Sequence, residues 1–509
     1  MLKDGLGRKS LEWLDRHAWL LVPFYLAGMV AIVLPWALRQ LWYDELFTYY
    51  VSASHSLDQA IQRMLHVDLN PPLSYLLVAL SLRVFGDTPL AVRLPFLLGF
   101  LVASLAVFAF VRRRAGGLFG LTAMVLTWSC GFLGCAAQAR PYALVLASMM
   151  LALLCWSRIQ PGARFSRWHW GLSASLGAML LSHCLALWCL LPFYLAETVR
   201  AWRSRRLDRA TWLALLLPLP VVLAYIPLLA RAHTMIYPLG FLPSWPKAWA
   251  FYSDLLVVQP GPAIWMPLLA LLLLPARGGT QRVLPVHEAV FVMATLLAPL
   301  PVMLGLAWGR TAFWPRYGIC AAVAFGIGAA CLVARKTNRS LVAAALAALV
   351  CTAAFSFEFA SFTISNWRRP PVYSTLYRDL HPELPFVAAS GLAFLEMDHR
   401  EPPEFVHRLY YLTDREAAIR YAHATIFEGL PVLCRYFPVR ATVTPYRSFL
   451  PAHERFLVLA TPDWPEDWLL KKLRDDGAEI RRLAEIDSGY RDRVLYEVRR
   501  PAPDSRAGP

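Results

Sequence analysis

The chain has 509 residues, 58% of them hydrophobic and 17% charged, and a mean hydropathy of +0.45. Soluble globular chains carry about 25% charged residues, so this composition excludes disorder and argues against an ordinary soluble enzyme. The formal charge of +16 lies wholly in residues 1–361, with 29 Lys+Arg against 13 Asp+Glu, because residues 362–509 balance at 21 and 21. The basic residues of the first part sit in short loops between apolar runs, which is a membrane-orientation signal rather than a nucleic-acid footprint.

In chain order, a basic start (Lys3, Arg8, Lys9, Arg16) precedes an apolar run over 17–38. That run matches the ~20 residues of a spanning helix and lacks a small-residue cleavage site, so it reads as an uncleaved first span. Residues 39–91 form a first outer segment, with a short amphipathic helix from Leu57 to Met64 and, after Pro71-Pro72, an apolar stretch over 73–85. As a helix that stretch covers ~20 Å, short of a ~30 Å hydrocarbon core, so it is expected to lie in the membrane interface. Further spans are predicted over 92–111, 116–135, 139–157, 168–182, 184–199, 211–230, 262–276, 288–308, 315–334 and 340–361.

Alternate connections then hold Arg112-Arg113-Arg114, Arg158/Arg164/Arg167, Arg200/Arg203/Arg205/Arg206/Arg209, Arg277/Arg282 and Arg335/Lys336/Arg339. The positive-inside rule makes that side cytoplasmic, with 39–91, the 231–261 loop and the tail outside. The tail, 370–509, alternates short apolar runs (Phe386 to Ala389, Arg408 to Leu412, Phe456 to Ala460, Arg493 to Val498) with helical patterns (Glu416 to Tyr421, Glu466 to Asp475). This is βαβ patterning. The expected fold is an all-α polytopic membrane bundle of about 11 transmembrane helices over 1–361, followed by a C-terminal extracytoplasmic α/β domain over 370–509. No GxGxxG or P-loop is present.

Eight of the nine cysteines lie in or beside apolar runs and form no CxxC pair, so they read as buried small hydrophobes and support neither a zinc site nor a disulfide framework. Asp44-Glu45 stands out just beyond the first span, in Trp42-Tyr43-Asp44-Glu45-Leu46-Phe47. Adjacent carboxylates at a membrane boundary are costly without a use, yet acidic residues also favour the positive end of a helix; sequence physics leaves both readings open. Arg93, Arg140-Pro141-Tyr142, His183 and Arg316-Tyr317 recur at the same outer rim. They are either snorkelling anchors or parts of a phosphate site, where arginine offers paired hydrogen bonds. A lone span-end histidine such as His183 is often an interface residue only.

Trp42-Tyr43-Asp44-Glu45, Asp68-Leu69-Asn70-Pro71-Pro72-Leu73, Phe85-Gly86 with Arg93-Leu94-Pro95, and Gln138-Ala139-Arg140-Pro141-Tyr142 follow in order. This series resembles the bacterial glycosyltransferase family 39 group, relatives of protein O-mannosyltransferases and of the aminoarabinose transferase that modifies lipid A. Ser182-His183 and Pro315-Arg316-Tyr317 resemble further family positions. The resemblance covers 35–200 well, 201–361 loosely and the tail not at all. It implies a GT-C fold, a polyprenyl-phosphate-linked sugar as donor, and work on the outer face of a bacterial inner membrane.

Carried over, Asp44 matches the catalytic aspartate and Glu45 the acid after it. Asn70 stands where many members have His or Lys, and Gln138 where a Glu often precedes Ala-Arg; both departures put the substrate in question. The resemblance further implies an inverting transfer with Asp44 as base, because a phosphate ester leaves without protonation. Glu45 orients the acceptor or a rim arginine, Arg93, Arg140 and Arg316 stabilise the departing phosphate, and Tyr142 and Tyr317 add hydrogen bonds. Asp68, Asn70 and His183 are weaker substrate-binding candidates. No cofactor is expected, and a divalent metal through His66 and Asp68 rests on too few ligands to make a site. The acceptor is left open among lipid, polysaccharide and protein, and no nucleic acid is expected. A transporter or flippase for a lipid-linked sugar is the alternative, set against the near absence of ionisable residues at the bilayer midplane; a non-catalytic scaffold would leave Asp44-Glu45 without a purpose.

Overall fold

The computed structural model describes residues 2–68, 70–130, 133–160, 162, 164–228, 242–256, 282–368, 378, 380–423, 430–462, 464, 467–487 and 492–500. Helices build the first part. Helix α1 (Leu2–Arg16) was not expected from the sequence, and α2 (Val22–Ala37), with the short turn before it, is the first predicted span. The outer segment folds into α3 (Tyr43–Ser52), α4 (Leu57–Arg63) and α5 (Leu73–Phe85). Helix α5 coincides with the stretch expected in the interface, and Leu76, Leu80 and Val84 form an exposed apolar stripe along it, the face a lipid surface would cover.

Helix α6 (Pro89–Ala115) begins where the Thr88 side chain accepts from Ala91 N–H, with Pro89 at its first position, and ends at Arg112–Arg114. Its 27 residues make it ~40 Å long, enough to cross a bilayer with tilt. Then come α7 (Gly117–Ser129), α8 (Tyr142–Trp156), α9 (Arg167–Ser182), α10 (Leu191–Ser204), α11 (Arg209–Leu216), α12 (Trp245–Leu256), α13 (Val286–Leu297), α14 (Pro299–Trp308), α15 (Cys320–Lys336) and α16 (Leu341–Arg368). Among the described residues, Ala18–Ala37, Pro89–Ala115 and Cys184–Ser204 are each long and apolar enough to span, and α13 with α14 makes a fourth across a 43° bend. Of the remaining predicted spans, 340–361 falls on the 28-residue α16, 262–276 lies outside the described residues, and the others fall on shorter helices. The span predicted at 116–135 is cut to α7 because the chain after Ser129 leaves the helix, and a 3-10 turn at Leu133–Ala137 leads it toward the rim.

Close backbone approach fixes two contacts in the bundle. A Cβ on Gly326 would lie 2.5 Å from Thr127 Oγ1 and 2.6 Å from the Ala123 carbonyl, so α15 and α7 meet through a residue without a side chain. A Cβ on Gly117 would lie 2.2 Å from the Asp15 carbonyl, and the Asp15 carboxylate accepts from Leu118 N–H at 2.9 Å, so α1 docks on the start of α7. Several basic-side charges are buried in pairs there: Arg200 with Glu197 at 2.9 Å, Arg114 with Glu288, and Trp156 Nε1 donating to Glu197 at 2.8 Å.

The tail forms one six-stranded sheet: β1 (Phe386–Ala388), β2 (Leu409–Thr413), β3 (Thr442–Pro445), β4 (Arg455–Ala460), β5 (Glu479–Asp487) and β6 (Asp492–Arg499), in the order β3-β2-β1-β4-β6-β5. Strands β1 to β4 are parallel, and β6 and β5 close one edge antiparallel. Four strands meet apolar runs read from the sequence; β3 and β5 do not, because their side chains are largely half-exposed or exposed. Helix α17 (Gly391–Arg400) follows β1 and carries Glu396 and His399 to the outer segment. There Tyr50 OH meets His399 Nδ1 at 2.9 Å, Arg63 Nε donates to the Tyr436 carbonyl at 2.7 Å, and the Phe437 ring packs on Phe47 and Tyr50. The α/β unit is thus seated on α3 and α4.

Candidate active site

The two adjacent acids diverge as soon as α3 begins. Asp44 and Glu45 are the second and third residues of that helix, where a carboxylate also meets the favourable end of the helix dipole. Successive helical residues turn by about 100°, and the surroundings of the two are opposite. Glu45 is fully buried, and Arg93 is 3% exposed. The Glu45 carboxylate accepts from Arg93 Nε at 2.8 Å, from Arg93 Nη2, from Ala139 N–H at 2.7 Å and from Trp42 N–H at 3.2 Å, the last being its own helix start. Arg93 spends its other N–H groups on the carbonyls of Ala37, Arg39 and Gln40. A guanidinium has five N–H donors, and all five are engaged here. This corrects the expectation that Arg93 serves a donor phosphate: it has no donor left to offer and ties α6 to the end of the first span and to α3. Glu45 in turn has no open face on which to meet a substrate.

Asp44 faces the rim. Its carboxylate accepts from Arg316 Nη2 at 2.6 Å, with side chains 19% and 22% exposed, and its backbone carbonyl accepts from Arg140 Nη1 at 3.1 Å. Arg140 also grips Asp68, at 3.0 and 3.1 Å from the two carboxylate oxygens. Asp68 is further held by Tyr75 OH at 2.6 Å and by the Asn70 side-chain amide at 3.2 Å. Burial pushes the Asp68 carboxyl above its usual range, opposed by the Arg140 charge and the Tyr75 hydrogen bond. Asp68 and Asn70 therefore build the seat of Arg140.

Arg316 lies over three aromatic rings, Trp42, Tyr142 and Trp314, at 5.7, 5.6 and 5.5 Å. Tyr142, His183 and Tyr317 form a ring cluster beside it, with centroids 5.4 to 6.2 Å apart. His183 Nδ1 accepts from Leu185 N–H at 3.0 Å, which caps the turn after α9. Arg316, Tyr142, His183 and Tyr317 line a narrow cleft whose other wall is apolar, from Val145, Leu185 and Ile319. The Nε atoms of Arg140 and Arg316 and Oε1 of Gln138 are buried and make no hydrogen bond among the described residues. Buried polar atoms without partners are uncommon and mark places where a ligand or water binds.

His66 lies away from this arrangement. Its ring stacks on Tyr436 at 4.8 Å and its Nδ1 donates to the Gln62 carbonyl at 2.9 Å. Among the described residues, no three His, Cys, Asp or Glu side chains gather as a metal site would require.

Residues 69–227 match the family described as dolichyl-phosphate-mannose-protein mannosyltransferase. A search of curated proteins finds no match. The crystal structure of ArnT from Cupriavidus metallidurans bound to undecaprenyl phosphate is similar over 96% of this chain and 99% of that one, at 14% identity and a TM-score of 0.54. The same protein in the apo state is similar over 94% and 98%, at 14% identity and 0.55. This chain has the GT-C fold. The likeness extends through the α/β tail, which sequence motifs could not match to anything.

Within this GT-C bundle, sequence reasoning missed two kinds of site residue. Tyr75, which hydrogen-bonds Asp68, sat in an apolar stretch without a motif of its own. Glu396, whose Oε1 accepts from Tyr43 N–H at 3.0 Å, lies 353 residues further along the chain, where no local pattern could connect it to α3.

Proposed function

We propose that this chain is an integral membrane glycosyltransferase that moves a sugar from a polyprenyl-phosphate donor to an acceptor, with inversion at the anomeric carbon. The observation that carries the reading is Asp44 beside Arg316 at 2.6 Å, with the unpaired Nε atoms of Arg316 and Arg140 at the same rim. The GT-C fold, the match of residues 69–227 and an ArnT structure crystallised with undecaprenyl phosphate support a lipid-linked donor.

The chemistry is a single displacement. The acceptor oxygen or nitrogen bonds to the anomeric carbon while Asp44 takes its proton, and the bond from that carbon to the phosphate oxygen breaks with its electron pair leaving on the phosphate. Arg316 and Arg140 stabilise the charge that develops there. Tyr142, Tyr317 and His183 shape the polar mouth of the cleft beside Arg316. A phosphate at Arg316 shares the guanidinium with Asp44, so donor binding loosens the ion pair and leaves the base free to accept a proton. Glu45 and Arg93 hold α3 in place beneath this chemistry.

Under the positive-inside rule the basic ends of the bundle, Arg112–Arg114 and Arg335/Lys336/Arg339, support an outward orientation for the opposite rim with Asp44, and we take the membrane to be a bacterial inner membrane. The acceptor is a lipid, polysaccharide or protein reached from that side. The test is release or transfer of sugar from a panel of polyprenyl-phosphate sugars by the purified protein and by Asp44→Asn. Turnover that vanishes in Asp44→Asn supports the reading. No turnover of any donor, or equal turnover by the variant, refutes it.

A further inference from the structure

The α/β unit touches the helix that carries Asp44 at its first residue. Tyr43 opens α3, and the first four backbone N–H groups of a helix have no partner within it. Here the Tyr43 N–H donates to Glu396 Oε1 at 3.0 Å. Glu396 is buried, and its second oxygen lies 3.4 Å from Arg493 Nη2. It stands on α17, in the tail, and not on the chain next to α3. A helix start is ordinarily capped by the residue immediately before it. At α3 the preceding residue is Trp42, whose side chain makes no cap hydrogen bond; Glu45 accepts from the Trp42 N–H at 3.2 Å, and the next N–H, that of Tyr43, goes to Glu396.

Further contacts hold the tail to the outer segment, among them Tyr50 OH with His399, the Phe437 ring with Phe47 and Tyr50, and Arg63 with the Tyr436 carbonyl. These grip the far end and the flank of α3 and its neighbour α4. Among these tail contacts of the described residues, that of Glu396 is the one at the end where Asp44 sits.

We infer that Glu396 is a positioning residue: by accepting the hydrogen bond from Tyr43 N–H, the C-terminal unit fixes the first turn of α3 and with it the direction of the Asp44 carboxylate. The inference rests on the proposed role of Asp44 as base. A carboxylate at this point also meets the positive end of the helix dipole and stabilises the first turn. Misplacement of a reacting group by about 1 Å costs ~100-fold in rate. Loss of the cap frees the first turn without removing any group that touches substrate.

The test compares full-length Glu396→Ala and Glu396→Gln with wild type, reading amide hydrogen exchange over 42–47 and steady-state sugar transfer from the active donor. Glutamine keeps an oxygen that accepts from Tyr43. The expected result is faster exchange at 42–47 in Glu396→Ala with exchange in the sheet unchanged, a kcat lowered ~10- to 100-fold with donor KM within twofold, and near wild-type behaviour of Glu396→Gln. Wild-type exchange at 42–47, or unaltered kcat, in Glu396→Ala overturns the inference. So does equal damage in both variants, which means that the charge and not the hydrogen bond matters. Should exchange over the sheet also rise, His399→Phe, which breaks docking at Tyr50 and leaves the cap in place, decides: the same drop in kcat there shows general docking at work and overturns the assignment to Glu396, and retained kcat supports it. Failure of the reading beneath it is seen separately, as equal turnover by Asp44→Asn, while the exchange measurement reports on the cap regardless.

Discussion

Replacing Glu45 by glutamine removes one charge from a pair that is almost completely hidden from solvent. Glu45 accepts four hydrogen bonds, two from Arg93 and one each from Ala139 and Trp42 N–H. Glutamine has a single acceptor oxygen, so at least two of these donors lose their partner, and the Arg93 charge is left buried without a counterion. Breaking a buried pair by removing one partner costs about 3–5 kcal/mol. Arg93 keeps three backbone carbonyls, which holds the expected loss for Glu45→Gln near the lower end, about 3 kcal/mol. Asp44→Asn disturbs a pair that is about one-fifth exposed on each side, and its expected loss is about 1 kcal/mol or less. The assay is chemical denaturation in detergent micelles of wild type, Glu45→Gln, Asp44→Asn, Arg93→Met and the double variant Glu45→Gln/Arg93→Met. The double variant no longer buries an unpaired charge and is expected to lose less than the two single losses added together. A Glu45→Gln loss within about 1 kcal/mol of wild type, or a double variant whose loss is fully additive, would falsify the structural role given to this pair.

Asp68→Asn takes the counter-charge from Arg140 and weakens the Tyr75 contact; transfer is expected to fall about 10-fold through loss of an oriented phosphate ligand, and an unchanged donor kcat/KM would remove Arg140 from the clamp. Gly326→Ala forces a methyl group against Thr127 and the Ala123 carbonyl, and is expected to cost about 1–3 kcal/mol of stability; a melting temperature equal to wild type would show that α7 and α15 can separate freely. Glu497 is drawn below its usual value of 4.5 to about 2, because hydrogen bonds from Arg455 and Arg481 outweigh the opposing effect of burial. A lowered folded-state value gives stability that is complete above pH 4.5 and is lost as the pH falls toward 2. Glu497→Gln is therefore expected to weaken the wild-type protein at neutral pH and to flatten its acid-induced loss between those values. A variant whose stability falls as steeply with acid as wild type contradicts this.

Helical spans were legible where twenty or so apolar residues run together, as in 17–38 and 92–111, because burial in lipid leaves nothing polar to interrupt the pattern. The helix at 73–85 was legible as an apolar stretch of 13 residues opening after Pro71-Pro72. The strands β1 and β4 announced themselves as fully buried apolar runs, whereas β3 and β5, with half their faces in solvent, did not. The site was legible as a set of residues at one depth but not as pairs. Sequence distance hides that Arg93 belongs to Glu45 and Arg316 to Asp44. The two adjacent acids were given different roles from the sequence, and the turn of α3 shows one carboxylate inward and the other outward. Arg93 was misread because a rim position says nothing of where a long side chain bends. Glu396 was invisible because its partner is a backbone N–H, which leaves no trace in residue type.

The seat of Glu396 on Tyr43 also sets an order of events during synthesis. The helix that bears Asp44 leaves the ribosome early, and its cap lies 353 residues later. At roughly 5–20 residues per second this is a wait of about 20–70 s, during which every later membrane helix is inserted. A nascent chain therefore has its charged rim in place long before its first turn is locked. The α/β unit supplies the cap of a helix made long before it, so the first turn beneath Asp44 is finished only once that unit has folded.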